Sequence, residues 1–237
     1  MSDVRILSVP ILFRWGRVNC YLLEAAGGFI LVDTGGRGGR SALDCELAKA
    51  GCAPGNLRLV ILTHGDFDHI GNAAYLRDKY GAGLAMGRDD AGMAERGDMF
   101  WNRSSGSALL RSIVPILFGF PKTSRFTPSL YLEHGDLLSE YGLEARVVSL
   151  PGHSRGSIGV LTAAGDLICG DLLVNSGEPA VNSIMDDPAA CRASLSRLLA
   201  LDLVTVCPGH GKPFPAVPFL AQLCSAAPEP PSSPRRE

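Results

Sequence analysis

The sequence predicts a mixed α/β domain made of two β-rich halves with helices on the outside. Short apolar or β-branched runs recur along the chain and are cut by Gly, Asn and Pro, the punctuation of strands. Stretches with helical starts and stops fall between them. With 28 Gly and 16 Pro in 237 residues, tight turns and short elements are favoured over a helix bundle. The two halves show as a faint internal echo. Phe29-Ile-Leu-Val-Asp33 and Leu167-Ile-Cys-Gly-Asp171 are both apolar strands ending in Asp, each preceded by another strand.

In chain order, Val4 to Val9, Val18 to Leu23 and Phe29 to Asp33 read as strands. The loop holding Gly35, Gly36, Gly38 and Gly39 lacks the GxGxxG spacing of a phosphate cradle and is read as a plain loop. Ser41 to Ala50 is expected as a helix stopped by Gly51. Leu57 to Leu62 is an apolar run of the kind buried on both faces, and it ends at Thr63-His64. A helix from about Gly71 to Tyr80 follows. Residues 88–130 break this rhythm and read as a lid-like insertion: GRDDAGMAERGDMFWNR is polar, and Leu109, Leu110, Ile113, Ile116, Leu117 and Phe120 then recur at near-helical spacing. Within it, residues 93–120, with Phe100 and Trp101, are expected to cover a cleft or else to form the interface of a homodimer. Strand signals resume at Ala145 to Leu150, Ser157 to Thr162 and Asp166 to Cys169. Pro188 to Ala200 reads as a helix and Leu203 to Cys207 as a last strand. One domain is expected over residues 1–217, with a disordered tail over 218–237 that ends PEPPSSPRRE.

Composition narrows the function classes. A hydrophobic fraction of 46% against 19% charged supports a buried core and excludes wholesale disorder. The formal net charge of −2 lacks the basic footprint of a nucleic-acid binder. No apolar stretch reaches the length of a membrane span, and the N-terminal apolar runs are too short for a signal peptide. Seven cysteines, an odd number with no CxxC, point to reduced thiols and a cytoplasmic protein. Cys169 and Cys207 have apolar neighbours and are read as core residues.

The chemistry is concentrated in Leu62-Thr-His-Gly-Asp-Phe-Asp-His-Ile-Gly-Asn72. His64, Asp66, Asp68 and His69 fall within six residues, after a buried strand and before a helix. A loop there can aim several side chains at one point. A lone Asp in such a turn would be read as a helix cap, but a cap does not explain a histidine at each end of the loop. Three more segments repeat the context. Pro151-Gly-His153, Gly170-Asp171 and Pro208-Gly-His210 each put a polar residue beside Gly at the expected end of a strand. Imidazole and carboxylate donors together suit Zn, Fe or Mn. The fifth histidine, His134 in Leu132-Glu-His-Gly-Asp136, is read as a turn residue.

Taken together, LVDTG (31–35), THGDFDH (63–69), PGHS (151–154), GD (170–171) and PGHG (208–211) resemble the metallo-β-lactamase superfamily along nearly the whole chain. The resemblance implies a four-layer αββα sandwich with a dinuclear metal site along one edge. It implies that His64, Asp66 and His153 hold one metal, that Asp68, His69 and His210 hold the second, and that Asp171 bridges them. Asp33 would lie beneath the site. Asp68 would also be the catalytic residue that orients the nucleophile or shuttles a proton. The cofactors would be two divalent ions, zinc first, with Fe or Mn as alternatives.

One position departs from the family pattern: the commonest motif is HxHxDH, and Asp66 stands where its second His would be. An extra carboxylate makes the donor set more negative, which favours harder ions such as Mn or Fe. The leading expectation is a metal-dependent hydrolase that uses a metal-bound hydroxide on an ester, lactone, thioester, lactam or phosphoester-type small molecule. The alternatives are a non-haem iron redox enzyme, persulfide dioxygenase-like or di-iron, and a non-catalytic metal-binding protein.

Overall fold

The computed structural model describes residues 4–10, 16–103 and 121–226. Strands β1 (Val4–Pro10), β2 (Arg17–Ala25), β3 (Gly28–Val32), β4 (Leu57–Leu62), β5 (Gly83–Gly87) and β6 (Leu130–Leu132) pair in that order as one sheet. The second sheet runs β12 (Phe214–Pro215), β11 (Thr205–Gly211), β9 (Asp166–Asn175), β8 (Ile158–Thr162) and β7 (Ala145–Ser149), with β10 (Pro179–Val181) also paired to β9.

Strand alternation builds the layers, because successive side chains point to opposite faces. From β2 and β4, Tyr21, Leu23, Leu59 and Ile61 point toward the second sheet. They meet Val147, Val160, Ile168 and Cys207 in a core between the sheets. Their neighbours Cys20, Leu22, Val60 and Leu62 face the other way. There they pack on α1 (Arg40–Lys49) and α3 (Ala73–Tyr80) through Leu43, Leu47, Leu76 and Tyr80. Behind the second sheet, Leu167, Cys169 and Val206 pack on α5 (Pro188–Leu199) through Cys191 and Leu198, and on α6 (Ala216–Ala226) through Phe219. The layers are helix, sheet, sheet, helix, as the resemblance implies.

The internal echo is a repeated topology. β1, β2 and β3 are antiparallel neighbours and β4 adds in parallel across α1. In the same way β7, β8 and β9 are antiparallel and β11 adds in parallel across α5. The two sheets are stitched at one edge, where the Asn19 amide donates to Pro208 O at 3.0 Å and the Tyr21 hydroxyl donates to the same carbonyl at 2.6 Å.

Several boundaries differ from the sequence reading. The helix expected over 71–80 is α3, which starts at Ala73, and a separate short helix, α2 (Phe67–Ile70), precedes it. Asn72 between them turns its amide onto Thr34 O at 2.8 Å and Gly36 O at 3.0 Å, which fixes the Gly-rich loop instead of continuing a helix. β9 and β11 run past their expected ends, so Asp171 and His210 lie inside strands and not after them. Register shifts around Pro208 let both strands bend at that point. β5, β6, β10 and β12 are short or Gly-containing and carry little periodic signal.

The described ends of the insertion belong to the core. Ala91, Met93 and Ala94 of α4 (Ala91–Arg96) are buried, and so is Phe126. The amphipathic stretch at 104–120 lies outside the described residues. Of the stretch expected as a tail, residues 218–226 continue α6, because Phe219, Leu220 and Leu223 recur at helical spacing against the third core cluster. Among the described residues no helix is long and apolar enough to cross a membrane.

Candidate metal centre

The edge of the sandwich brings the seven expected residues together. His64, Asp66, Asp68 and His69 come from the loop after β4 and from α2, and His153 from the loop after β7. Asp171 comes from β9 and His210 from β11. Four imidazoles lie in a row: His153 to His64 with ring centroids 4.7 Å apart, His64 to His69 at 4.1 Å, and His69 to His210 at 5.5 Å. Donor atoms gather in three groups, each within 4.8 Å: His64, Asp66 and His153; Asp68, His69 and His210; and His64, His69 and Asp171. Asp171 touches the second triad through both oxygens, Oδ1 lying 3.3 Å from His69 Nε2 and Oδ2 3.4 Å from His210 Nε2.

Each imidazole is turned by a partner on its Nδ1, which leaves Nε2 facing inward. The His153 Nδ1–H donates to Ile184 O at 2.7 Å and that of His210 to Arg17 O at 3.0 Å. His69 Nδ1 donates to Asp33 Oδ2 at 2.8 Å. The Thr63 hydroxyl spends its proton on that same oxygen, so its lone pair faces His64 Nδ1 at 3.0 Å. Asp33 also accepts from Thr63 N at 2.8 Å, and its backbone sits in the left-handed region at φ 62°. Asp tolerates that conformation better than most residues, and here it aims one carboxylate at three donors. Small residues keep backbone close to the cluster: a Cβ on Gly209 would strike Asp171 Oδ1, and one on Gly170 would strike the Thr63 side chain.

The electrostatics are those of a donor set. Burial, with the neighbouring His69, holds His64 well below the ordinary imidazole range. Burial opposes the charged form of Asp171 too, but His69 and His210 outweigh it and keep the carboxyl well below its usual range. For His69, Asp171 and Asp33 overcome burial and raise the imidazole. His210 is raised to about 10, with burial overcome by its hydrogen bonds to Asp171 and Asp68. Buried polar atoms are normally paired. Yet His64 Nε2, His69 Nε2 and Asp171 Oδ1 are buried without a well-formed hydrogen bond. Orphaned imidazole nitrogens converging on carboxylate oxygens, with every Nδ1 braced from behind, fit a divalent cation.

The motif gave no sign of three further residues. Arg103 places Nη1 2.7 Å from Asp66 Oδ1 and Nε 2.9 Å from Asp186 Oδ2. Asp66 is thereby held below the ordinary carboxylate range, burial being outweighed first by Arg103 and then by His153. The charge argument for harder ions counted Asp66 without this partner, whose positive charge is shared between Asp66 and Asp186. Asp90, fully buried, accepts from Gly65 N at 3.1 Å, Ser154 Oγ at 2.6 Å and Gly156 N at 2.8 Å. It ties the His64–Asp66 loop to the loop after His153. His134 is exposed and away from the cluster, and its Nδ1 accepts from Ser149 N at 3.3 Å. Cys169 and Cys207 are buried in the core, where burial raises both thiols.

A cleft of about 600 Å³ opens on the cluster. Asp66, Asp68, His153, Asp171 and His210 form its ionic side, and Met99, Phe100, Val174, Ile184 and Met185 its apolar side. Phe100 is among the described residues that line this cleft and Trp101 is not; the Arg96 guanidinium stacks 3.8 Å from the Trp101 ring centroid.

The family profile described as the metallo-β-lactamase superfamily matches residues 13–210. Metallo-beta-lactamase domain-containing protein 1 of Homo sapiens is 35% identical over 205 residues, covering 84% of this chain. The chain spans 64% of that relative's length. Hydroxyacylglutathione hydrolase GloC of Haemophilus influenzae is 26% identical over 163 residues, which is 66% of this chain and 69% of that protein. Among solved structures, the metallo-beta-lactamase family protein TTHA1429 of Thermus thermophilus superposes with a TM-score of 0.70 at 30% identity. The match covers 94% of this chain and 78% of that one.

Proposed function

The chain belongs to the metallo-β-lactamase superfamily, within its metallo-hydrolase class, and on that premise we propose that it hydrolyses the ester, lactone or thioester bond of a small molecule bearing an apolar group. The cleft carries this reading, since apolar side chains line the same small-ligand-sized space as the donor cluster. In such a site a scissile carbonyl would lie over the cluster and an acyl or alkyl substituent would pack on apolar lining residues such as Met99, Phe100 and Ile184. Phosphoesters fit less well. Among the described lining residues Arg103 is the one arginine or lysine, and it is already engaged by Asp66 and Asp186. A relative named as a hydroxyacylglutathione hydrolase supports the acyl side of the choice.

His64, Asp66 and His153 would hold one divalent ion and Asp68, His69 and His210 the other, with Asp171 set against both. Zinc suits four imidazoles. When bound, such ions supply an ionised water near neutral pH and a positive charge toward the carbonyl oxygen. Asp68 does the residue-borne work. Its Oδ2 lies 3.3 Å from His210 Nε2 and its carboxylate lines the cleft, so it can orient the attacking water and pass a proton to the leaving group. His153 and His210 are fixed from behind by backbone carbonyls, which keeps their Nε2 atoms aimed without rearrangement.

The test is metal content per chain alongside turnover of a panel of thioesters, esters, lactones and phosphodiesters. The expected result is acyl hydrolysis that disappears on chelation and returns with zinc. Two ions per chain with no acyl turnover, or with phosphodiester turnover alone, would overturn the reading.

A further inference from the structure

We propose that Arg103 is the positioning residue that lets Asp66 serve where the family motif carries histidine, by taking Oδ1 and leaving Oδ2 alone for the cation. The inference rests on the reading that the cluster binds two ions. The guanidinium lies 2.7 Å from Asp66 Oδ1, while Oδ2 points the other way, 3.1 Å from His153 Nε2 and 3.7 Å from His64 Nε2. The carboxylate is therefore presented edge-on, one oxygen to the arginine and one to the two imidazoles, so it acts as a one-atom donor as an imidazole would. The guanidinium also offsets the carboxylate charge, although it is shared with Asp186, so Asp66, Arg103 and Asp186 together carry one negative charge.

Arg103 also joins the three loops that build this half-site. Besides Asp66 it reaches Asp186 at 2.9 Å and donates through Nη2 to His153 O at 3.4 Å. Asp186 belongs to the same turn as Ile184, whose carbonyl braces the His153 ring. With 5% of its side chain exposed and both edges of its fork engaged, Arg103 is not disposed to bind substrate. A planar fork that engages carboxylates along two edges is specific to arginine, so lysine is not an equivalent here. A carboxylate left buried after loss of this partner would be uncompensated.

The experiment uses the full chain, loaded with Zn²⁺ or with Co²⁺ as a spectroscopic probe, and compares wild type, Arg103→Leu, Asp66→His and the double variant. Arg103→Leu should weaken the more labile ion by about 10–100-fold in chelator competition, the range of lost outer-shell partners. The Asp68/His69/His210 ion should be retained and the Co²⁺ spectrum should lose one component. Asp66→His alone should also weaken that ion, because it sets an imidazole and a cation against the guanidinium. The double variant should regain two ions per chain, a rescue that a merely structural arginine would not give. Thermal unfolding of each variant separates misfolding from selective loss. Arg103→Lys covers the case in which Arg103→Leu does not fold, and it should still show the weakened ion. Two ions bound at wild-type affinity in a folded Arg103→Leu or Arg103→Lys, or strictly additive effects in the double variant, would overturn the inference. A wild type that takes up fewer than two ions fails the two-ion reading and this inference with it. That failure is distinguishable because it appears before any substitution is made.

Discussion

The two triads of the cluster are built differently. His64, Asp66 and His153 are almost fully buried, and the Asp66 carboxylate is paired within the protein with Arg103, which Asp186 holds as well. Asp68 and His210 of the other triad are half-exposed on the cleft, and only His69 is sealed, with Asp33 behind it. The first triad is therefore a closed site whose geometry depends on an ion-pair relay spanning three loops. The second is an open one, anchored to the backbone of β2 and to the end of β3, where the reacting groups can meet substrate. Depth sets how each carboxylate is managed: a buried Asp66 needs a cation at its back, whereas Asp68 has water and the neighbouring imidazole.

The largest effect should come from Asp171, the residue set against both triads. Asp171→Ala removes the carboxylate that lies beside His64 of one triad and beside His69 and His210 of the other. Ions per chain should fall below one, with turnover at the level of chelated protein, as read by elemental analysis and rate. Next in size is Asp90, which braces the closed triad. Asp90→Ala leaves Gly65 N, Gly156 N and the Ser154 hydroxyl without their acceptor. Unpaired buried donors cost roughly 1–3 kcal/mol each, partly offset here because burial already disfavours the Asp90 charge. A net loss on the order of 2–4 kcal/mol is expected by urea unfolding. If the comparison holds, the surviving folded protein should lose the closed-triad ion first.

Much of this was legible because the chemistry sits at strand ends marked by Gly and Pro. LVDTG, THGDFDH, PGHS and PGHG locate the donors, and the layered fold follows from near-continuous apolar runs in β2, β4 and β9 that are buried on both faces. The brace was not legible. Arg103 lies in a polar segment, WNR, with no local pattern, and its partners Asp66 and Asp186 come from other loops. Asp90 likewise reads as a surface acid in GRDDAG until the fold carries it under Ser154 and Gly156. Local periodicity reports elements and motif residues; tertiary charge compensation leaves no periodic trace. In the same way β5, GLAMG, is a strand because β4 and β6 flank it, with little propensity of its own.

A smaller effect separates the triads by pH. Without an ion, His210 carries a proton up to about 10, because Asp171 and Asp68 outweigh the cost of burial. That proton must leave when the open triad takes a cation. Metal affinity there should rise with pH across the neutral range, and zinc uptake should release protons. In calorimetry this appears as a binding enthalpy that depends on the buffer. The stability of the stripped protein runs the other way. The folded value of His210 is raised above its ordinary 6.5, so its stabilisation is complete below 6.5 and is lost as pH rises toward about 10. A metal-free protein whose unfolding midpoint did not fall over that window would break the argument. The closed triad should contribute less, since burial already keeps His64 neutral.

The smallest effect should show which triad the substrate's apolar group covers. Phe100 belongs to the segment that also supplies Arg103, the partner of Asp66 in the closed triad. Val174 pairs with His210 across β9 and β11 and flanks the open one. Truncating Phe100 to alanine removes the whole phenyl ring. If an acyl chain packs on it, about 1–1.5 kcal/mol of burial is forfeited, or roughly tenfold in kcat/KM. Val174→Ala removes two methyl groups and should cost less. With Asp68 in its proposed role beside the partly exposed His210, the acyl chain should run away from them, toward the closed triad. Phe100→Ala should therefore lower kcat/KM for long-chain thioesters about tenfold while leaving short-chain thioesters and metal content nearly unchanged. A larger loss in Val174→Ala would reverse the direction of the bound chain. An equal loss for long and short chains in Phe100→Ala would mean that the ring supports the Arg103 segment and does not touch substrate.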